Sequence, residues 1–179
     1  MAVERHLMMA DELLRLPRGR ERHALVRGEL RTLPLNDAEH GAVAATVGAA
    51  LGNYVRERRL GYTTVGSGYI LTVDPDTVHG ADVAFVRTER RCRTEGCFPG
   101  PPDLVIEVVS VFDRYMDVHE ALADWLENGV RLVFLVNPQQ QTVQVHRPGQ
   151  TVRILTIKDT IDGEDVVPGW SMPVRALFA

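Results

Sequence analysis

Glu107 is the residue most at odds with its surroundings. It interrupts Leu104-Val105-Ile106-Glu107-Val108-Val109, a nearly continuous apolar run that reads as a central strand covered on both faces. A lone carboxylate in such a place is costly unless it is paired, bound to a metal or neutralised by a shifted pKa. Alternation along a strand puts Asp103, Val105, Glu107 and Val109 on one face, with Asp103 and Glu107 roughly 13 Å apart, too far to share one ion. Asp82 opens a second apolar stretch, Val83 to Val86. If the two strands are neighbours, the carboxylates of Asp82 and Glu107 converge at about 5 Å, the interstrand spacing. Two hard oxygen ligands, completed by waters and a phosphate, suit Mg²⁺. The plainer reading of the same residues is an Asp-rich turn that ends at Asp82 and a Glu107 paired with a nearby arginine.

Other chemistry is thinner. His79 lies close enough to Asp82 to ligate the same ion, although hydrogen bonding to Asp74 or Asp76 accounts for it equally. Arg87, Arg90, Arg91 and Arg93 face only Glu89, a basic stretch that could grip a DNA backbone or be a solvated loop. Gly66-Ser67-Gly68 lacks the further glycines and following helix of a phosphate-binding loop. None of the serines, Ser67, Ser110 and Ser171, sits in a nucleophile elbow. Cys92 and Cys97 are too few for a zinc site built on cysteine or a disulfide framework, and free thiols are expected.

The elements that must position these residues follow from periodicity. Residues 4–16 fit an amphipathic helix stopped by Pro17, and 22–33 a first strand or hairpin. Asn36 and Glu39 resemble a capping box ahead of Val43, Val47, Leu51 and Val55, which predicts a long helix over about 37–59 closed by arginines and Gly61. Strands are expected at 62–73, with a bulge or bend at Gly66 and Gly68, at 82–86 and at 104–109. A helix over about 117–128 and a buried strand from Leu132 to Val136 complete a βαβ unit, and 142–147 with 151–157 read as a hairpin. The 179 residues, 45% hydrophobic and 25% charged, carry no linker or repeat and predict one α/β domain, a central mixed sheet flanked by helices. No apolar run approaches the length of a membrane span and no signal-peptide core is visible at Met1 to His6, so a cytoplasmic protein without membrane contact is expected. The net charge of −4 means that any nucleic-acid binding must come from a local basic patch.

Three stretches, Leu25-Val26-Arg27-Gly28-Glu29-Leu30, Ala81-Asp82-Val83-Ala84-Phe85-Val86 and Pro102-Asp103-Leu104-Val105-Ile106-Glu107-Val108-Val109-Ser110, resemble the Uma family of restriction endonucleases. Trp125-Leu126-Glu127-Asn128-Gly129-Val130, Asn137-Pro138, Pro168-Gly169-Trp170 and Leu177-Phe178 match the same pattern, so the resemblance covers nearly the whole chain. It implies the restriction-endonuclease-like fold of the PD-(D/E)XK nuclease superfamily and metal-dependent hydrolysis of DNA phosphodiesters. It makes Asp82 and Glu107 the catalytic metal carboxylates for Mg²⁺ or Mn²⁺, with the Val108 carbonyl a third ligand. Asp103 takes a supporting or turn role, and His40, where relatives tend to carry histidine, a cleft position that could contact phosphate. Restriction-type nucleases often dimerise, which implies a homodimer.

Two departures from that pattern bear on activity. The superfamily lysine two residues after the glutamate is Val109 here, and the helix position where Uma relatives carry it instead is Ala121. The only lysine, Lys158, lies in a later hairpin. A glutamate that in relatives precedes the first apolar pair is Ala24, and Ala81 stands in place of a proline. Loss of such a cation is worth about 3–4 kcal/mol of transition-state stabilisation. Arg114 and His119, at the start of the second long helix, are the replacements within reach in sequence. Two outcomes are therefore expected as alternatives: a weakened metal-dependent endonuclease, or a degenerate nuclease fold retained as a binding or assembly module.

Overall fold

Arg27 and Gly28, at φ 50° and 77°, form the two-residue turn that a tight hairpin requires, and they join β1 (Arg22–Val26) to β2 (Glu29–Leu33). The computed structural model describes residues 6–17 and 21–179. Of the expected 4–16 helix, residues 4 and 5 lie outside them, and only α1 (Ala10–Leu14) is helical. Met8 N–H donates to Gly28 O at 2.8 Å and Ala10 N–H to Asp76 Oδ2 at 2.7 Å, so the chain ahead of α1 is tied to the hairpin turn and does not extend the helix.

The long helix α2 (Ala38–Arg58) matches its expected span, but its N-cap is Asp37, not Asn36: the Asp37 carboxylate accepts from His40 N–H at 2.8 Å. Val43, Val47, Leu51 and Val55 form its buried stripe, and Arg59, at φ 55°, ends it. Strand β3 (Gly61–Thr72) then pairs along its whole length with β4 (Thr77–Arg87), which is far longer than the expected 82–86. Gly61 allows the close start of that pairing, since a Cβ there would stand 2.1 Å from Val86 O. After the two-residue β5 (Phe98–Pro99) come β6 (Leu104–Val108), α3 (Tyr115–Glu127) and β7 (Leu132–Asn137), the expected βαβ unit with β6 and β7 parallel. Strands β8 (Thr142–His146) and β9 (Arg153–Leu155) are the expected hairpin, and β10 (Thr160–Asp162) with β11 (Ser171–Pro173) makes a separate two-stranded sheet.

The main sheet is mixed, ordered β2-β1-β4-β6-β7-β8-β9 with β3 also on β4. Helix α2 covers one face over Val83, Phe85, Leu104, Ile106 and Phe134, together with Trp170. Helix α3 covers the other through Leu122 and Trp125, which pack on Tyr69, Ala84 and Val105. β6 is central, buried between antiparallel β4 and parallel β7.

The sheet has two irregularities around β4. Because β3 occupies one edge of β4 throughout, β1 and β6 share the other: β1 pairs at Val78, β6 from Val83 to Phe85, and residues 79–82 lie at the fork between them. Gly66, at φ 61° and opposite Asp82, marks a switch of faces. On one side of it Val65 and Val83 meet Gly48 of α2; on the other Tyr69 and His79 meet Trp125 of α3, which strict alternation forbids. The expected bend is thus at Gly66, whereas the pairing register itself shifts only between Ile70 and Thr72. Gly68 instead makes room for the Cys97 thiol.

Candidate active site

The face switch leaves Asp82 reachable from both layers of the fold. Its Oδ2 accepts from Nε2 of His40, in the first turn of α2, at 2.8 Å and from the backbone N–H of Val108, at the end of β6, at 2.9 Å. Asp37 in turn accepts from His40 N–H, the Ser110 hydroxyl and Val111 N–H, which fastens the start of α2 to the segment leaving β6 and holds its carboxyl well down, at about 2.

Glu107 lies one step beyond the Val83–Ile106 pair, across the fork from Asp82. Its side chain is on the α3 face, where Trp125 Nε1–H donates to Oε1 at 2.8 Å. Burial, and next the negative charge of Asp82, push the Glu107 carboxyl well above the usual carboxylate range; the Trp125 bond and the charge of Arg22 oppose this. Two carboxyl groups are therefore brought together where burial and the charge of Asp82 disfavour ionisation of Glu107. In an extended strand the N–H and C=O of one residue share an edge, so the Val108 carbonyl also faces the fork. Two acidic side chains and one carbonyl thus face the fork; among the described residues there is no group of three His, Cys, Asp or Glu side chains that could hold a metal ion.

The fork opens into a cleft of about 120 Å³, several waters in size, reached by Asp82, Glu107, Arg22, His23 and His79. Ala24 and Ala121 line the same cleft, so both departures from the family pattern fall on this site. Lys158 is exposed in the turn between β9 and β10.

The remaining sequence candidates lie elsewhere or have other partners. Asp103 is buried at the opposite end of β6, where its carboxylate accepts from Arg87 N–H and pairs with the Arg87 and Arg90 guanidinium groups. Arg87 and Arg90 are thus committed to Asp103 instead of forming a free basic grip; Arg90 also donates to Pro101 O. Arg91 lies 6.0 Å over the Tyr62 ring, and Arg93 is exposed. Arg114 is the exposed residue before α3 and lines a neighbouring hollow. His119 stacks on Tyr115, with centroids 4.0 Å apart, and does not line the cleft. Neither stands in for the lysine beside the two carboxylates. His79 bonds Asp124 of α3 at 2.7 Å, not the turn aspartates.

Three site residues escape a reading by sequence. Arg22, at the start of β1, lines the cleft with its Nε–H on Pro34 O at 2.9 Å and its guanidinium 3.5 Å from Asp113. Only the tertiary position of the hairpin brings it there. Trp125 reads as plain core in a helical pattern, and its indole N–H is what reaches Glu107. Asp124 did carry a signal: a carboxylate next to Trp125 and three residues from Ala121, on the inward face of a helix.

The sequence matches the family model described as "Putative restriction endonuclease" (Uma2) over residues 10–175. No curated protein matches it significantly. Among solved structures, the chain is similar to a putative nuclease belonging to DUF820 from Anabaena variabilis ATCC 29413, with a TM-score of 0.84, 20% identity, and 96% of this chain and 97% of that one covered. At that identity the likeness establishes the fold, a large mixed sheet flanked by helices.

Proposed function

This chain belongs to the Uma2 family, and on that premise we propose that it hydrolyses DNA phosphodiester bonds with a divalent metal ion held at Asp82 and Glu107. One observation carries the reading: two acidic side chains from adjacent strands meet in a cleft where burial and the charge of Asp82 disfavour ionisation of Glu107. A divalent cation resolves that conflict by neutralising both. Asp82, Glu107 and the Val108 carbonyl suit Mg²⁺ or Mn²⁺, hard ions that take oxygen ligands and complete their shells with water and phosphate. The ion would supply a bound water of lowered pKa and charge neutralisation at the scissile phosphate.

The chain's own residues have separable tasks in this reading. His40 and the Val108 N–H orient Asp82 by holding one of its oxygens, which leaves the other for the ion. Trp125 does the same for Glu107. Arg22 is the cation on the cleft wall and takes the part of the missing lysine in offsetting phosphate charge, without that lysine's capacity to give up a proton. A homodimer belongs to the same proposal, and sedimentation velocity at micromolar concentration tests it.

A second reading is favoured by Ala24 and Ala121, which remove two polar groups from the cleft wall: a degenerate fold that binds a partner without cleaving DNA. Calorimetric titration with Mn²⁺ comes first. Wild type is expected to bind one ion and Glu107→Gln none; equal binding by both sinks the assignment of the site. Cleavage of a mixed DNA pool with Mn²⁺ then separates enzyme from module. Restoring Ala24→Glu together with Ala121→Lys is expected to raise activity if the site is merely weakened.

A further inference from the structure

We propose that His79, held by Asp124, is the proton acceptor of this site, standing in the space that Ala24 and Ala121 leave empty. The inference rests on the hydrolytic reading above and deepens it. His79 is three residues before Asp82 on the same strand, at the fork between β1 and β6. It lines the cleft with Asp82 and Glu107, and it also lines the adjoining hollow, in both cases together with Ala24 and Ala121. The two alanines that erase the family's polar groups therefore share both hollows with one imidazole.

The ring is built in. His79 is 7% exposed and its Nε2 is 2.7 Å from Asp124 Oδ2, itself buried, with Arg27 3.9 Å beyond on the other carboxylate oxygen. Its ring packs 5.6 Å from that of Trp125, the residue that holds Glu107. A carboxylate only accepts, so Nε2 carries a proton, and in the neutral ring the lone pair is then on Nδ1. Among the described residues Nδ1 has no hydrogen-bond partner. Such a pair, with the carboxylate fixing the tautomer and steadying the imidazolium, is the arrangement of a general base and its positioning residue. His40, the other buried histidine near the site, spends its Nε2 on Asp82 and is not equivalent.

In the step itself, Nδ1 of His79 takes a proton from the attacking water as the water oxygen bonds to phosphorus. The phosphorus–oxygen bond to the leaving group breaks, and that oxygen departs with the electron pair and takes a proton from solvent. His79 then returns its proton to solvent. The charged groups around it are Asp124 across the α3 contact, then Asp82, Glu107, Arg22, Asp113 and Asp117 in the cleft, and Arg31, Arg114 and Glu120 in the adjoining hollow, with His23 as the other titratable ring.

The test compares wild type, His79→Gln, Asp124→Asn and Glu107→Gln, each with Mn²⁺, on bis(p-nitrophenyl) phosphate and on a mixed DNA pool. We expect His79→Gln to lower kcat by about 10²-fold or more and to flatten the acid limb of the pH–rate profile, with Mn²⁺ affinity by calorimetry unchanged. Asp124→Asn should lower kcat as well and, in ring ¹⁵N spectra, release the His79 proton from Nε2. A His79→Gln enzyme with wild-type kcat and pH profile, beside an inactive Glu107→Gln, overturns the proposal and leaves the metal site standing. A wild-type His79 ring protonated on Nδ1 alone overturns it without any activity measurement, whether or not the variants fold. Wild type that binds Mn²⁺ and hydrolyses neither substrate overturns the hydrolytic reading and this step with it.

Discussion

At the residue scale, Glu107 couples the site to the stability of the fold. Its carboxyl holds a proton more tightly in the folded protein than in the unfolded chain, because burial and Asp82 both penalise its charge. Between the ordinary value of 4.5 and the raised one the folded state carries the extra proton, so stability falls as pH rises through that window. Each tenfold change in proton affinity is worth about 1.4 kcal/mol. Glu107→Gln keeps an acceptor for the Trp125 indole and removes the titration. We therefore expect the variant to gain on wild type as pH rises above about 4.5 in urea denaturation without divalent metal; a difference that does not change with pH argues against the proton-holding carboxyl. Trp125→Phe should act on the same residue from the other side. It leaves the Glu107 oxygen without its donor, at a cost of about 1–3 kcal/mol, and calorimetry should show weaker Mn²⁺ binding because the carboxylate is no longer oriented.

At the scale of elements, Asp37 decides whether α2 delivers His40 to Asp82. It caps the helix and also receives the Ser110 hydroxyl and the Val111 N–H from the far side of the cleft. Asp37→Ala is expected to lower stability by about 1–2 kcal/mol near neutral pH. Because the folded-state carboxyl is lowered to about 2, its contribution is present above the unfolded value of 3.8 and lost as pH falls through about 2; thermal melts of wild type and variant should therefore converge in acid. This helix and the β6-α3-β7 unit were legible from the sequence because their signals are local: a 3.6-residue apolar period in α2, a nearly continuous apolar run in β6, a glycine after α3. Glu107 announced itself for the same reason, as a charge where the pattern has no place for one. The choice of Asp37 over Asn36 as cap was not legible, since both are good caps and a tertiary bond to Ser110 selects between them. Nor was the fork, which depends on β1 and β6 sharing an edge of β4, or the face switch at Gly66 that swings Asp82 between the layers. Arg22 and the pairing of His79 with Asp124 became visible only once those long-range pairings existed, and Arg87 and Arg90 found Asp103 for the same reason.

At the scale of the whole molecule, metal binding and folding are one equilibrium. The site joins strands β4 and β6 and, through His40 and Trp125, both covering helices, so an ion held there binds the folded protein and has no comparable site in the unfolded chain. Linkage then gives about 2.7 kcal/mol of added stability at a hundredfold excess over Kd. For a chain of 179 residues this is a rise in Tm of roughly 5–10 °C. The rise should be larger at pH 8 than at pH 5, because at lower pH the ion must first displace the Glu107 proton, and it should vanish in Glu107→Gln. Ca²⁺, larger and tolerant of irregular shells, provides the contrast: stabilisation by Mn²⁺ that Ca²⁺ matches without supporting hydrolysis marks a binding site common to hard cations, with the chemistry residing in the smaller ion's ordered water. A wild-type Tm that no divalent cation moves, at any pH from about 5 to 8, removes the metal from Asp82 and Glu107 and leaves the half-buried pair as a structural feature of a fold that no longer cleaves.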